Sequence, residues 1–160
     1  MAVAIRKKRI TLAHLNPWGT LHGGILMKWM DEASGDAAQC HTERLCVTVH
    51  VDNLDFHRPI HAEELLILSA SVNRVWNTSL EVGIRAETLN ESTGQICHVA
   101  SAYFVFVALD ENGRPTPVTE VIPRTAEEKR RYKEAGLRHV RRLKAVNRKR
   151  RKTFSDRTGA

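Results

Sequence analysis

No stretch of this 160-residue chain approaches the ~18 consecutive apolar residues that a membrane-spanning helix needs. Its first residues, Met1-Ala-Val-Ala-Ile-Arg-Lys-Lys-Arg, are charged and lack the apolar core and cleavage site of a secretory signal. A cytoplasmic protein is therefore expected. Cysteine is scarce: Cys40, Cys46 and Cys97 form no C-x-x-C pair and no metal-ligand spacing. Three dispersed thiols suit a reducing compartment and read as small buried hydrophobes. Histidines are present but scattered along the sequence, so no metal centre is legible and no metal or redox cofactor is expected. Internal repeats and interdomain linkers are absent as well.

What remains is an ordinary globular balance, 42% apolar and 27% charged, in a length that supports one core. The net charge of +7 is uneven. From Arg124 onward the chain carries most of its arginines and lysines, including Arg138-His-Val-Arg-Arg-Leu-Lys and Arg148-Lys-Arg-Arg-Lys152. The body before it is close to neutral. Residues 1–123 therefore read as one domain and 124–160 as a basic helix and tail. Thr125-Ala-Glu-Glu128 is a capping box that opens this helix. Beyond about Lys144 the charge density predicts loss of order, a solvated extension or a contact with an anionic surface or nucleic acid.

Within the body, residues about 5–11 alternate weakly, as a first strand would. The turn-rich loop Asn16-Pro-Trp-Gly-Thr-Leu-His-Gly-Gly follows, and then a helical pattern from Gly24 to about Cys40. Lys28, Glu32, Asp36 and Gln39 make one narrow polar stripe, so most of this helix must be covered. Strand signals follow: Leu45 to about Phe56, Glu64–Trp76, a run after the Asn77-Thr-Ser turn, and Ile96–Leu109. Leu66, Leu68, Ala70 and Val72 should face one side, and so should Leu80, Val82, Ile84 and Ala86. Ser79, Glu81, Arg85 and Glu87 should face the other. One mostly buried helix followed by a long antiparallel meander is an α+β arrangement. A sheet that curls around the helix to bury it is the hotdog layout.

Two places carry chemistry. Leu21-His22-Gly23-Gly24 opens the helix, where backbone N–H groups lack partners and the macrodipole is positive. Two glycines let a polarised carbonyl oxygen approach, although they also permit a plain tight turn. Asp31 lies off the polar stripe, at the margin of the buried face. A carboxylate there is costly unless it is paired or employed as a base. Gly24 and Asp31 are ~10 Å apart along one helix at 1.5 Å per residue. If both act on one carbon, they belong to two chains with antiparallel helices, and the site is shared in a dimer.

These residues resemble the signature of the cytosolic acyl-CoA hydrolase group of hotdog thioesterases: Asn16-x-x-Gly19-x-x-His22-Gly23-Gly24-x-x-Met27-x-x-Met30-Asp31-x-Ala33. The resemblance continues through Phe56-x-x-Pro59-Ile60, Thr78-Ser79-Leu80-Glu81-Val82 and Phe106-Val-Ala-Leu-Asp110 to Glu127-Glu-Lys-Arg-Arg-Tyr132. It implies hydrolysis of acyl-CoA to fatty acid and coenzyme A, with Asp31 as base or nucleophile. It further implies Asn16, from the facing subunit, holding water or substrate, and Gly23 and Gly24 N–H groups polarising the carbonyl. His22 would shape the pocket or serve as a structural residue. Asn77, Thr78 and Ser79 would run along the pantetheine and nucleotide. Arg58, Arg124, Lys129 and Arg130 are candidates for the coenzyme A phosphates. Assembly beyond the dimer, as a trimer of dimers, is implied too. Trp18 departs from the pattern and would narrow the acyl tunnel.

The competing reading is a non-catalytic acyl-CoA-binding hotdog module whose basic tail grips nucleic acid. It leaves Asp31 and Asn16 together unexplained, and the tail lacks interleaved aromatics. A dehydratase on the same fold would call for a histidine paired with an acid in a different motif.

Overall fold

The structure, a computed structural model, describes residues 2–158, with side chains through residue 148. Two compact units divide the chain, Met1–Ile122 and Pro123–Ala160.

The first unit runs β1 (Val3–Arg9), a 3₁₀ turn (Leu12–His14), α1 (Gly23–Thr42), β2 (Leu45–Phe56), β3 (Leu65–Val75), β4 (Ser79–Leu89) and β5 (Ile96–Leu109). The strands form one antiparallel sheet in the order β1-β3-β4-β5-β2. Hairpins make β3, β4 and β5 neighbours. Trp76 N–H reaches Ser79 O at 2.7 Å across the first turn, and Asn90 N–H reaches Gln95 O at 2.9 Å across the second. The strands flanking α1 in sequence, β1 and β2, sit at the two edges, and α1 touches all five strands.

Period-two alternation supplies the inner face. Leu66, Leu68, Ala70 and Val72 of β3 are buried, as are Leu80, Val82, Ile84 and Ala86 of β4 and Phe104 and Phe106 of β5. Against them α1 sets Leu26, Trp29, Met30, Ala33, Ser34, Ala37 and Ala38, all buried. The small residues of that list let the helix settle close to the sheet. Truncating Phe106 or Met30 to alanine would cost about 2–5 kcal/mol. The helix ends two residues later than the sequence pattern indicates, on Glu43 in the left-handed conformation (φ 53°).

Two polar positions are tied to other elements. The stripe on α1 is not simply solvated, because Arg6 of β1 bonds Glu32 at 2.9 Å and Asp36 at 2.8 Å. Glu81 lies on the face opposite Leu80 and Val82, yet it too is fully buried and accepts a hydrogen bond from Asn73 at 3.3 Å. Gly83 makes room for that amide, since a Cβ there would lie 2.7 Å from Asn73 Nδ2. The thiols also divide: Cys46 is buried and Cys97 half-buried, but Cys40 is exposed. Burial pushes the Cys46 thiol up, against a hydrogen bond from Thr42.

The second unit holds α2 (Ala126–Thr158). Its start is the capping box read from sequence: Glu128 N–H donates to Thr125 Oγ1 at 3.1 Å and Thr125 N–H to Glu128 Oε2 at 3.0 Å. The N–H groups of Thr125 and Arg124 hold the Glu128 carboxyl below its ordinary range. The helix continues past Lys144 to Thr158. Lysine and arginine are good helix formers, and their charge alone does not end a helix. Among the described residues no helix is long and apolar enough to cross a membrane.

Candidate active site

The loop before α1 is built on Asn16. Its Oδ1 accepts the N–H groups of Trp18 at 3.0 Å and Thr20 at 3.2 Å, and its Nδ2 donates to Thr20 Oγ1 at 2.9 Å. Gly19, at φ 74°, returns its N–H to Asn16 O. Both acceptor sites of the Asn16 amide are thus filled, and one Nδ2 proton remains. Trp18 stands at the tip of this loop, 84% exposed, so within one chain it roofs nothing.

At the start of α1, His22 is the N-cap. Its Nδ1 accepts the Gly24 N–H at 3.0 Å, which requires the tautomer with the proton on Nε2. Ile25 and Leu26 N–H groups go to His22 O. Gly23 N–H has no hydrogen-bond partner among the described residues. Gly23 is one of the residues lining a cleft of about 370 Å³, with Leu21, Leu26, Phe56, Arg58 and Ile60 among others. The two glycines expected to act alike are therefore unequal: one N–H is open and the other is capped.

Asp31 is half-buried, two turns further along α1. Thr48 Oγ1 of β2 donates to its Oδ1 at 2.6 Å. The sequence reading missed Thr48. Threonine is a good strand former, and nothing set this one apart from Val47 and Val49. Along α1, Gly23 and Asp31 are ~12 Å apart at 1.5 Å per residue.

The remaining expected binding residues are less free than foreseen. The Arg58 guanidinium bonds Glu64, Thr88 and Pro59 O, so it is already paired where a phosphate ligand was expected. In the Asn77-Thr78-Ser79 turn, the carbonyls accept from Val118, Ala108 and Trp76 respectively, which leaves fewer open backbone groups than the sequence promised. The register Leu80↔Phe106↔Thr48 sets the strand that follows this turn two strands from Thr48, the partner of Asp31. Arg124, Lys129 and Arg130 belong to the second unit. Among the described residues no group of three or more His, Cys, Asp or Glu side chains is placed to hold a metal ion.

A long helix in a curled five-stranded sheet is the hotdog fold. Residues 19–95 match the family model of the thioesterase superfamily. The chain is 35% identical over 124 residues to the uncharacterized acyl-CoA thioester hydrolase YkhA of Bacillus subtilis, covering 78% of this chain and 72% of that one. It is 33% identical over 124 residues to the rat cytosolic acyl coenzyme A thioester hydrolase, covering 76% of this chain. It spans only about a third, 32%, of that longer relative. Among solved structures, a hexameric acyl-CoA thioesterase superposes with a TM-score of 0.88 at 32% identity, over 91% of this chain and 93% of that one. The acyl-CoA hydrolase of Staphylococcus aureus, solved with butyryl coenzyme A and coenzyme A, superposes at 0.86 and 29% identity over 96% and 93%. Variants of that enzyme with an aspartate, an asparagine or a threonine replaced by alanine superpose equally well. The chain belongs to the acyl-CoA thioesterase family of hotdog proteins. The non-catalytic, nucleic-acid-binding alternative finds no support among these relatives.

Proposed function

We propose that this chain hydrolyses acyl-CoA thioesters to carboxylic acid and coenzyme A, at sites shared between two copies. The observation that carries the reading is the hydrogen bond from Thr48 to Asp31, which fixes one carboxylate oxygen and leaves the other as an acceptor. Asp31 takes a proton from water as the oxygen attacks the thioester carbon. The resulting oxyanion is held by Gly23 N–H, joined by Gly24 N–H when that group is released. Collapse expels the coenzyme A thiolate, which recovers the proton. Direct attack by Asp31, forming an anhydride that water then opens, uses the same carboxylate. Asn16 contributes as a donor only, through its remaining Nδ2 proton, to the carbonyl or water oxygen.

Spacing supports these assignments. The asparagine, aspartate and threonine replaced in the staphylococcal enzyme are separated by 15 and 17 positions. Asn16, Asp31 and Thr48 have the same separations.

The minimal unit in this reading is a dimer. β2 is an edge strand with Val47, Val49, Val51 and Phe56 exposed, and a bare apolar edge is a template for a second strand. Pairing two such edges sets two α1 helices antiparallel and brings Asp31 of one copy toward Gly23 and Asn16 of the other. The hexameric relative favours a trimer of such dimers. The relatives' cytosolic setting is the one we assign to this chain as well. No step in this scheme calls for a metal or redox cofactor.

Release of free thiol from short to long acyl-CoAs, by wild type and Asp31→Asn, tests the reading. Turnover that collapses in the variant, with acyl-CoA binding retained, is expected. Binding without turnover by the wild type would overturn it.

A further inference from the structure

The first turn of α1 is closed in an unusual way. Helix N-caps are ordinarily Ser, Thr, Asp or Asn, whose short oxygen arms accept the N2 or N3 amide. Here the cap is an imidazole: His22, with extended backbone (φ −63°, ψ 124°), folds back so that Nδ1 takes the Gly24 N–H at 3.0 Å. Gly24 lacks the atom that would oppose this. A Cβ there would lie 3.3 Å from His22 Nδ1 and 3.4 Å from Cε1, a tight contact that the ring would have to relieve by a few tenths of an ångström. The ring is exposed, so it can turn away without unpacking the core. Ile25 and Leu26 N–H groups are held by the His22 backbone carbonyl, which no side-chain motion releases. Of the donors at this end, Gly23 N–H is open, and only Gly24 N–H is closed by a group able to leave.

From this we infer that His22 is a competing acceptor for the Gly24 amide, a positioning residue that withholds the second oxyanion donor until charge develops on the substrate. The inference rests on the hydrolase reading above and deepens it. A neutral thioester carbonyl is a weak acceptor and does not displace the imidazole. An oxyanion is a stronger one, and the amide transfers to it as the ring swings out. The Gly24 bond is then made only in the transition state, so it raises kcat without tightening substrate binding. No proton is moved by His22 in this exchange, and no bond of its own breaks other than the hydrogen bond.

Two neutral substitutions separate this role from simple capping. His22→Asn keeps an acceptor at the cap but on a short arm that stays with the amide. His22→Phe keeps the ring's bulk and has no acceptor. The inference expects His22→Asn to hold or raise Tm while kcat falls about tenfold with KM little changed. His22→Phe is expected to lower Tm while kcat/KM rises about threefold, because the freed Gly24 N–H then meets the ground-state carbonyl as well and KM falls. Stability and turnover thus move in opposite directions. If both variants change kcat in step with Tm, or if His22→Asn leaves kcat unaltered, His22 is only a cap and the inference fails. Wild type and Asp31→Asn run alongside distinguish the two failures, because an inactive wild type overturns the hydrolase reading itself.

Discussion

Thr48 Oγ1 donates to Asp31 Oδ1 at 2.6 Å, joining the edge strand β2 to the middle of the buried helix. A charge-assisted bond of this length aims a carboxylate that a half-buried helix position would otherwise leave to water. Removing the carboxylate charge with Asp31→Asn should lower kcat by about 10²–10⁴ and leave Tm close to wild type. Thr48→Val removes the hydroxyl at nearly constant shape. It should lower kcat by about tenfold, with Thr48→Ser restoring most of the loss. Thiol release measured beside thermal melts checks both. Full activity in Thr48→Val would mean that the bond is structural.

Asn16 offers a cleaner separation of loop from chemistry. Its Oδ1 holds two backbone N–H groups, and a carboxylate can do the same. Asn16→Asp should therefore keep the loop and the Tm while losing the Nδ2 donor, and kcat should fall at least tenfold, as for about 1.4 kcal/mol of lost transition-state stabilisation. Asn16→Ala loses both, and should fall as far in kcat while also losing about 1–2 kcal/mol of stability. Equal activity of Asn16→Asp and wild type would remove Asn16 from the site.

How much of this was legible in the sequence depended on the kind of signal. Alternation in Leu66–Val72 and Leu80–Ala86 marks a buried sheet face because side chains point to opposite faces every second residue. The polar stripe of α1 and the Thr125–Glu128 box are equally local, and all of them appear in the structure. The misses are contacts between distant segments. That Arg58, a candidate for phosphate, is held by Glu64 and Thr88 shows only once those segments are placed against it. Glu81 shows its burial only once Asn73 is opposite. Thr48 is one β-branched residue among several until Asp31 arrives from seventeen positions away. His22 reads as a pocket or a structural residue, and no pattern announces which structural role, a side chain that bends back on its own helix.

Stability should fall toward acid in two stages. Burial, the Arg85 cation and the neighbouring His57 ring hold His98 below its ordinary value, against the pull of Ala100 O and Glu87. A histidine depressed in the folded state favours folding above its unfolded pKa of ~6.5, and that contribution is lost as pH drops below it. Burial works against the Glu64 charge, but His61 N–H, Arg58 and Thr88 outweigh it and hold the carboxyl below the usual range. Its contribution is present above ~4.3 and is lost as pH falls through the folded value. Urea unfolding at pH 7.5, about 5.5 and about 4 should show the first decline below ~6.5 and a second below ~4.3. Glu64→Gln should cost about 2 kcal/mol at neutral pH and nothing once Glu64 is protonated. A penalty independent of pH would place its origin in packing.

The shared site makes its sharpest demand on mixtures. In the proposed dimer each site takes Asn16 and Gly23 from one copy and Asp31 from the other. A homodimer of Asp31→Asn has no intact site, and neither has a homodimer of Asn16→Ala. A hybrid of the two has one site with both defects and one with neither. If the two inactive variants are unfolded together and refolded in equal amounts, half the dimers are hybrids, and each carries one working site of two. Activity should therefore return to about a quarter of wild type, since closed symmetric pairing allows no other distribution. Grouping dimers into trimers does not alter the fraction. A site completed within one chain predicts no recovery at any mixing ratio, because every chain in the mixture is defective. The paired control is Val49→Lys with Val51→Lys on the exposed face of β2, which should keep the chain folded, elute as the 18.1 kDa monomer and lose hydrolysis.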